Sequence, residues 1–251
     1  MKTRPLLFAA VLALAPACGQ ATDDTDLEAP DAGEGMDADA GAGVFSFHLD
    51  DSCRTGGFDV DGAKTTLQTA SGLVVKDQPD PETPWCQDLT PRTVDVSDSS
   101  GGYEAAAHLE LKRGQNTVTV VASSQASGPE NDWGYFAQGA AGFTQLDIRG
   151  GGGGVTRVRT TVDCSGTVEA TGNGIAGISV ERCNGESICG LAPAIPGIAE
   201  GWSPGDSASF EETTSSPDSV VACLRIGFDS MAAGGSAAAR ATITITVEPL
   251  P

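Results

Sequence analysis

The chain has 251 residues, with 14 Lys and Arg against 34 Asp and Glu, a formal net charge of −20, and seven cysteines. So acidic a balance argues against nucleic acid as a partner, since holding a polyanion demands clustered Lys and Arg. No later segment reads as the roughly 20 consecutive apolar residues that a membrane-crossing helix needs.

Chain order begins with Lys2 and Arg4, an apolar run from Leu6 to Leu14, and Ala15-Pro16-Ala17-Cys18. A charged start, a short apolar stretch and small residues at a cleavage point make residues 1–17 a secretory signal peptide. Cleavage before Cys18 suits two routes. Ala15 and Ala17 satisfy a general signal peptidase, which would give a periplasmic or secreted protein. The same four residues also resemble the lipobox of bacterial lipoproteins, with Ala15 where Leu is usual. That resemblance implies a diacylglycerol on the Cys18 sulfur, usually a third acyl chain on its amine, and a lipoprotein at the outer membrane or cell surface. Parity favours this route: lipidation of Cys18 leaves six cysteines for three bridges, whereas simple secretion strands one thiol in an oxidising compartment.

Residues 18–43 form an acidic Ala/Gly/Asp segment with eight acids and no Lys or Arg. Low hydrophobicity and charge of one sign keep such a segment solvated, so it is expected to be a disordered tether.

From residue 44 to 251 the patterning is β. The clearest strand is Ala241–Val247, where Ile243, Ile245 and Val247 alternate with Thr242, Thr244 and Thr246. Strands are also expected at 44–49, 67–75 with a turn near Ser71-Gly72, 93–96, 117–122, 143–148, 155–162, 167–171, 175–180, 208–212 and 220–228. Tyr103–Lys112 has helix-favouring Ala, Glu and Leu, but Tyr103, Ala105, Ala107, Leu109 and Leu111 alternate, and Arg113-Gly114-Gln115-Asn116 closes a hairpin with the strand after it. Frequent turns without intervening helices predict an all-β fold, an antiparallel β-sandwich or jelly-roll-like domain. The glycines of 150–154 mark either a linker between two lobes or a long loop within one sandwich.

The cysteines predict a disulfide framework. Cys183 and Cys189 flank Asn184-Gly185-Glu186-Ser187-Ile188, a turn-forming loop that a local bridge could close. Cys164 and Cys223 lie in two strong strands that a second bridge would join, and Cys53 with Cys86 follows by elimination. A zinc site is disfavoured: there is no Cys-x-x-Cys pair, and only His48 and His108 could assist. No cofactor is expected. Calcium is the alternative at Asp50-Asp51, Asp59-Val60-Asp61-Gly62 and Asp77 with Asp80 and Glu82, where a solvated acidic surface accounts for the same residues.

Two functional readings compete. Ala106-Ala107-His108 and Gly205-Asp206-Ser207 resemble the histidine and serine motifs of chymotrypsin-like proteases, also disulfide-bonded β proteins with His before Ser. The resemblance implies His108 as base, Ser207 as nucleophile, and the amides of Gly205 and Ser207 as oxyanion hole. Asp132 and Asp147 are the candidate acids. Ser207 is followed by Ala208-Ser209 instead of the family's Gly-Gly-Pro, and Pro204–Ser207 reads equally as a turn entering a strand. The other reading, preferred here, is a non-enzymatic binding or structural protein. Trp133, Tyr135 and Trp202 lie in Gly/Pro-rich loops, where an exposed ring can stack on a glycan or anchor a surface protein and a buried one completes the core.

Overall fold

Tyr103, Ala105, Ala107, Leu109 and Leu111 are all buried along one strand. The alternation read from the sequence therefore belongs to a strand and not to a helix. The computed structural model describes residues 45–49, 62–78, 91–130, 134–150, 156–194, 207–214 and 220–250. Within them lie β1 (Ser46–Leu49), β2 (Gly62–Thr69), β3 (Gly72–Gln78), β4 (Arg92–Ser100), β5 (Tyr103–Arg113), β6 (Thr117–Gly128), β7 (Phe136–Arg149), β8 (Thr156–Arg182), β9 (Ser187–Ala194), β10 (Ser207–Thr214) and β11 (Val220–Leu250). Each strand pairing is antiparallel.

The organising element is β11. Its first half pairs with β7 from Val220↔Arg149 to Ala232↔Ala137, and its second half pairs with β6 from Gly235↔Gly128 to Thr246↔Thr117. Along the opposite edge β8 follows it throughout, from Leu224↔Arg182 to Leu250↔Arg157. A register shift between Ala232 and Gly235 marks where the pair bends. Gly235 and Gly172 face each other there at φ 84° and 59°, values that a side chain rarely tolerates.

Two layers result, sharing β8 and β11. One runs β3-β2-β7-β11-β8-β9, with β1 beside β2 on the edge of β7. The other runs β4-β5-β6-β11-β8-β10. Phe143, Ile178 and Phe228 from the first layer and Leu109, Val120 and Ile243 from the second join one buried cluster. Val162, Ile243 and Ile245 are fully buried, as the β-branched alternation predicts. The fold is thus an antiparallel β-sandwich. The strand order ends at β3 and β4, and Lys76 ties those ends together by donating from Nζ to Ser97 O at 3.3 Å and Asp98 Oδ1 at 2.8 Å.

Several sequence expectations need correction. The segments 155–162, 167–171 and 175–180 are one strand, β8, and 220–228 and 241–247 both belong to β11. The strands flanking 150–154, β7 and β8, lie on opposite edges of β11, so both belong to one sheet.

The disulfide pairing also differs. Cys164 bonds Cys189 and Cys183 bonds Cys223, with Cα separations of 6.5 and 5.4 Å. Register explains the exchange. Leu224 stands opposite Arg182, which brings the next residues, Cys223 and Cys183, together at the ladder's end, and the Cys183 amide donates to Cys223 O at 3.0 Å. Cys164 stands opposite Ile243, far along β11 from Cys223. Cys189 lies inside β9, opposite Val180, and not in a turn beside Cys183, and it is buried with Cys164 in the main core. Cys18, Cys53 and Cys86 lie outside the described residues.

Candidate functional site

The outer face of the second layer presents the side chains that alternation turns away from the core. Its middle row follows from register alone: Asp95 on β4 pairs with His108 on β5, His108 with Ser123 on β6, Ser123 with Arg240 on β11, and Arg240 with Thr167 on β8. Five adjacent strands thus set a carboxylate, an imidazole, a hydroxyl, a guanidinium and a second hydroxyl in line. Neighbours in such a row are about 4.8 Å apart.

Two hollows open on this face. One, of about 500 Å³, is lined by His108, Ser123, Ser165, Thr167 and Thr242 among others, and the second, of about 590 Å³, by Ser97, Glu104, Ser127 and Ser236. Gln125 and Arg240 line both, so the hollows adjoin as one groove with these two side chains at its middle. Among the described residues, the side chains of Ser123, Gln125, Thr167 and Arg240 have no protein partner. Their hydrogen-bonding capacity is turned toward solvent.

His108 Nδ1 lies 2.7 Å from Asp95 Oδ1, on the side away from Ser123. With a carboxylate as acceptor, Nδ1 carries the hydrogen in the neutral ring, leaving Nε2 as an acceptor. The side chains are 34% and 75% exposed, so water screens the pair.

Register separates the residues of the protease reading. Ser207 on β10 stands opposite Asp163 of β8, and β8, β11 and β6 lie between it and β5. Ser207 is four inter-strand steps from β5, ~19 Å along the sheet, and level there with Lys112 rather than His108, far beyond hydrogen-bond reach. Asp147 is buried on β7, where it accepts from Gln145 Nε2 at 3.1 Å and lies 3.7 Å from Arg149. The acid beside His108 is Asp95, which sequence reasoning missed because only strand register brings it there. Asp132 lies outside the described residues.

Of the loop aromatics, Tyr135 is 40% exposed just before β7. Trp133 and Trp202 lie outside the described residues. Of the calcium candidates, Asp77 lies 3.9 Å from Lys64, and Asp50, Asp51, Asp59, Asp61, Asp80 and Glu82 lie outside the described residues.

Comparison with known proteins places the chain in no family. No protein-family model matches it, and neither does any curated protein. Among solved structures, it is similar to the CBM22-1 xylan-binding domain of Paenibacillus barcinonensis Xyn10C at 11% identity, covering 64% of this chain and 97% of that one, with a TM-score of 0.15. The infectious bursal disease virus VP2 subviral particle is similar at 8% identity, covering 80% of this chain and 55% of that one, with a TM-score of 0.16. Likenesses at these scores carry no functional inference.

Proposed function

We propose that this chain is an exported, lipid-anchored binding protein that holds an extended, hydroxyl-rich ligand, a surface glycan, in the groove across its second layer. The row from Asp95 to Thr167 carries the reading. It offers donors and acceptors of several kinds on rigid strands, and Ser123, Arg240 and Thr167 have no partner among the described residues, as a polyhydroxylated ligand requires. The two disulfides among the described residues suit a chain that folds in an oxidising compartment. No chemistry on the ligand is proposed, since the Asp95–His108 pair is open to water and Ser207 lies strands away from it. Anchoring through Cys18 supplies the membrane attachment.

The reading is tested with the mature chain bearing Cys18→Ser, kept soluble and screened against a glycan array. Binding is expected, and Gln125→Ala with Ser123→Ala should weaken it by about 5- to 100-fold, the loss of one or two hydrogen bonds in a site. Absence of binding across the array, or unchanged affinity in the double variant, would refute the groove. Palmitate incorporation by the wild-type precursor and not by Cys18→Ser tests the anchor separately.

A further inference from the structure

Among the cations of its layer whose side chains are described, Arg240 and Arg113 have no carboxylate partner, and Arg113 lies over the Phe47 ring at 5.9 Å. Lys112 lies 2.9 Å from Glu110, and Arg157 and Arg159 lie 2.7 and 2.8 Å from Glu211. In a chain whose acids outnumber its bases 34 to 14, a carboxylate partner for every guanidinium is the easy outcome. Glu169 is within diagonal reach, because it pairs with Ala238 two residues before Arg240. Arg240 nevertheless has no carboxylate partner among the described residues, and it lines both hollows.

We infer that Arg240 is the specificity residue of the groove and takes the carboxylate of a sparsely charged acidic saccharide. This rests on the glycan reading above. A guanidinium matches a carboxylate through two parallel N–H···O bonds, a geometry that a hydroxyl cannot reproduce. Ser123 and Thr167, the cross-strand neighbours of Arg240, can donate to the same oxygens, and Gln125 can bind an adjoining hydroxyl. The charge of the whole chain limits the ligand. At −20 the protein repels a dense polyanion, so one acidic sugar among neutral ones fits better than a polyuronate. Hydroxyl and amide side chains alternate with small alanines along the lining, with no large aromatic or aliphatic pocket that would seat an apolar peptide.

The experiment uses the soluble mature chain and an array of matched triplets: a neutral oligosaccharide, the same compound bearing one glucuronic acid, and the methyl ester of that acid. In the best-binding triplet the acid should bind about 10- to 100-fold tighter than its ester, the range of a charge-assisted pair. The preference should shrink with added salt. Arg240→Gln should bring acid and ester to equal affinity, and thermal melting should show that the exposed substitution leaves the fold intact. Equal binding of acid and ester, or a preference that survives Arg240→Gln, would overturn the inference and leave the glycan groove standing. If no member of any triplet binds, the glycan groove itself falls, and this inference with it.

Discussion

Beneath the groove, Gly139 of β7 sits against the backbone of the opposite layer. A Cβ there would collide with the carbonyl oxygen of Ala106 and come within 2.7 Å of that of Gln125. Neither backbone can yield without moving the strands that present His108 and Gln125. Gly139→Ala is therefore expected to cost about 1–3 kcal/mol in urea unfolding, the usual range for overpacking a dense core, and to weaken groove binding as well. An unchanged midpoint would show that the layers are less closely apposed. Above the groove, His108 was legible as a polar-face residue from the alternation of its strand, and its partner was not. Asp95 lies one hairpin away, and its approach depends on the register Asp95↔His108, set by the two-residue turn at Gly101-Gly102 and the burial of Val94 and Val96. Nitrogen-15 NMR should find His108 chiefly as the Nδ1–H tautomer, with Asp95→Asn shifting the mixture toward Nε2–H. The same substitution should change stability by less than about 1 kcal/mol, since the pair is exposed.

At the scale of elements, short strands with one buried face were legible and long bent ones were not. β5 and β6 emerge from simple alternation and a short connection. β8 and β11 read as separate short segments because alternation lapses over 163–166, 172–174 and 229–240, yet the pairing continues across those stretches with one register shift, between Ala232 and Gly235. That continuity also determines the cysteine pairing, since once β8 is a single strand the end of its ladder with β11 belongs to Cys183 and Cys223. Between those two cysteines the chain runs 40 residues, through β9 and β10. Replacing both with Ser should lower stability by about 2–5 kcal/mol, with the loss centred on the β8–β9 turn. Non-reducing peptide mapping should recover Cys164–Cys189 and Cys183–Cys223. Recovery of a Cys183–Cys189 peptide would instead restore the local loop that the spacing suggested.

Across the whole molecule, stability should fall from the spine toward the two ends of the strand order. β11 is paired on both edges along most of its length, whereas the ladder stops at β3 and β4, where Leu73, Val74 and Val75 are exposed. Such edges invite pairing with other chains unless something blunts them. Here Lys76 does so by spanning from β3 to Ser97 O and the Asp98 carboxylate. Its hydrogen bond is the main reason that Asp98 is held below the ordinary carboxylate range. Aspartates in the unfolded chain titrate at ~3.9, so this contact contributes fully above that pH and is lost as the pH falls through the lower folded value of Asp98. Lys76→Met should return Asp98 toward its ordinary titration, followed by carbon-13 NMR, and flatten the acid limb of stability. The thermodynamic cost should stay within about 1 kcal/mol, because the ammonium is half exposed. Hydrogen exchange should quicken in β3 and β4 while the amides of β11 keep their protection, since opening one seam leaves the spine paired. A uniform rise in exchange across all strands would mean that the ends of the sheet and its centre unfold as one unit, and that Lys76 closes the fold as a whole.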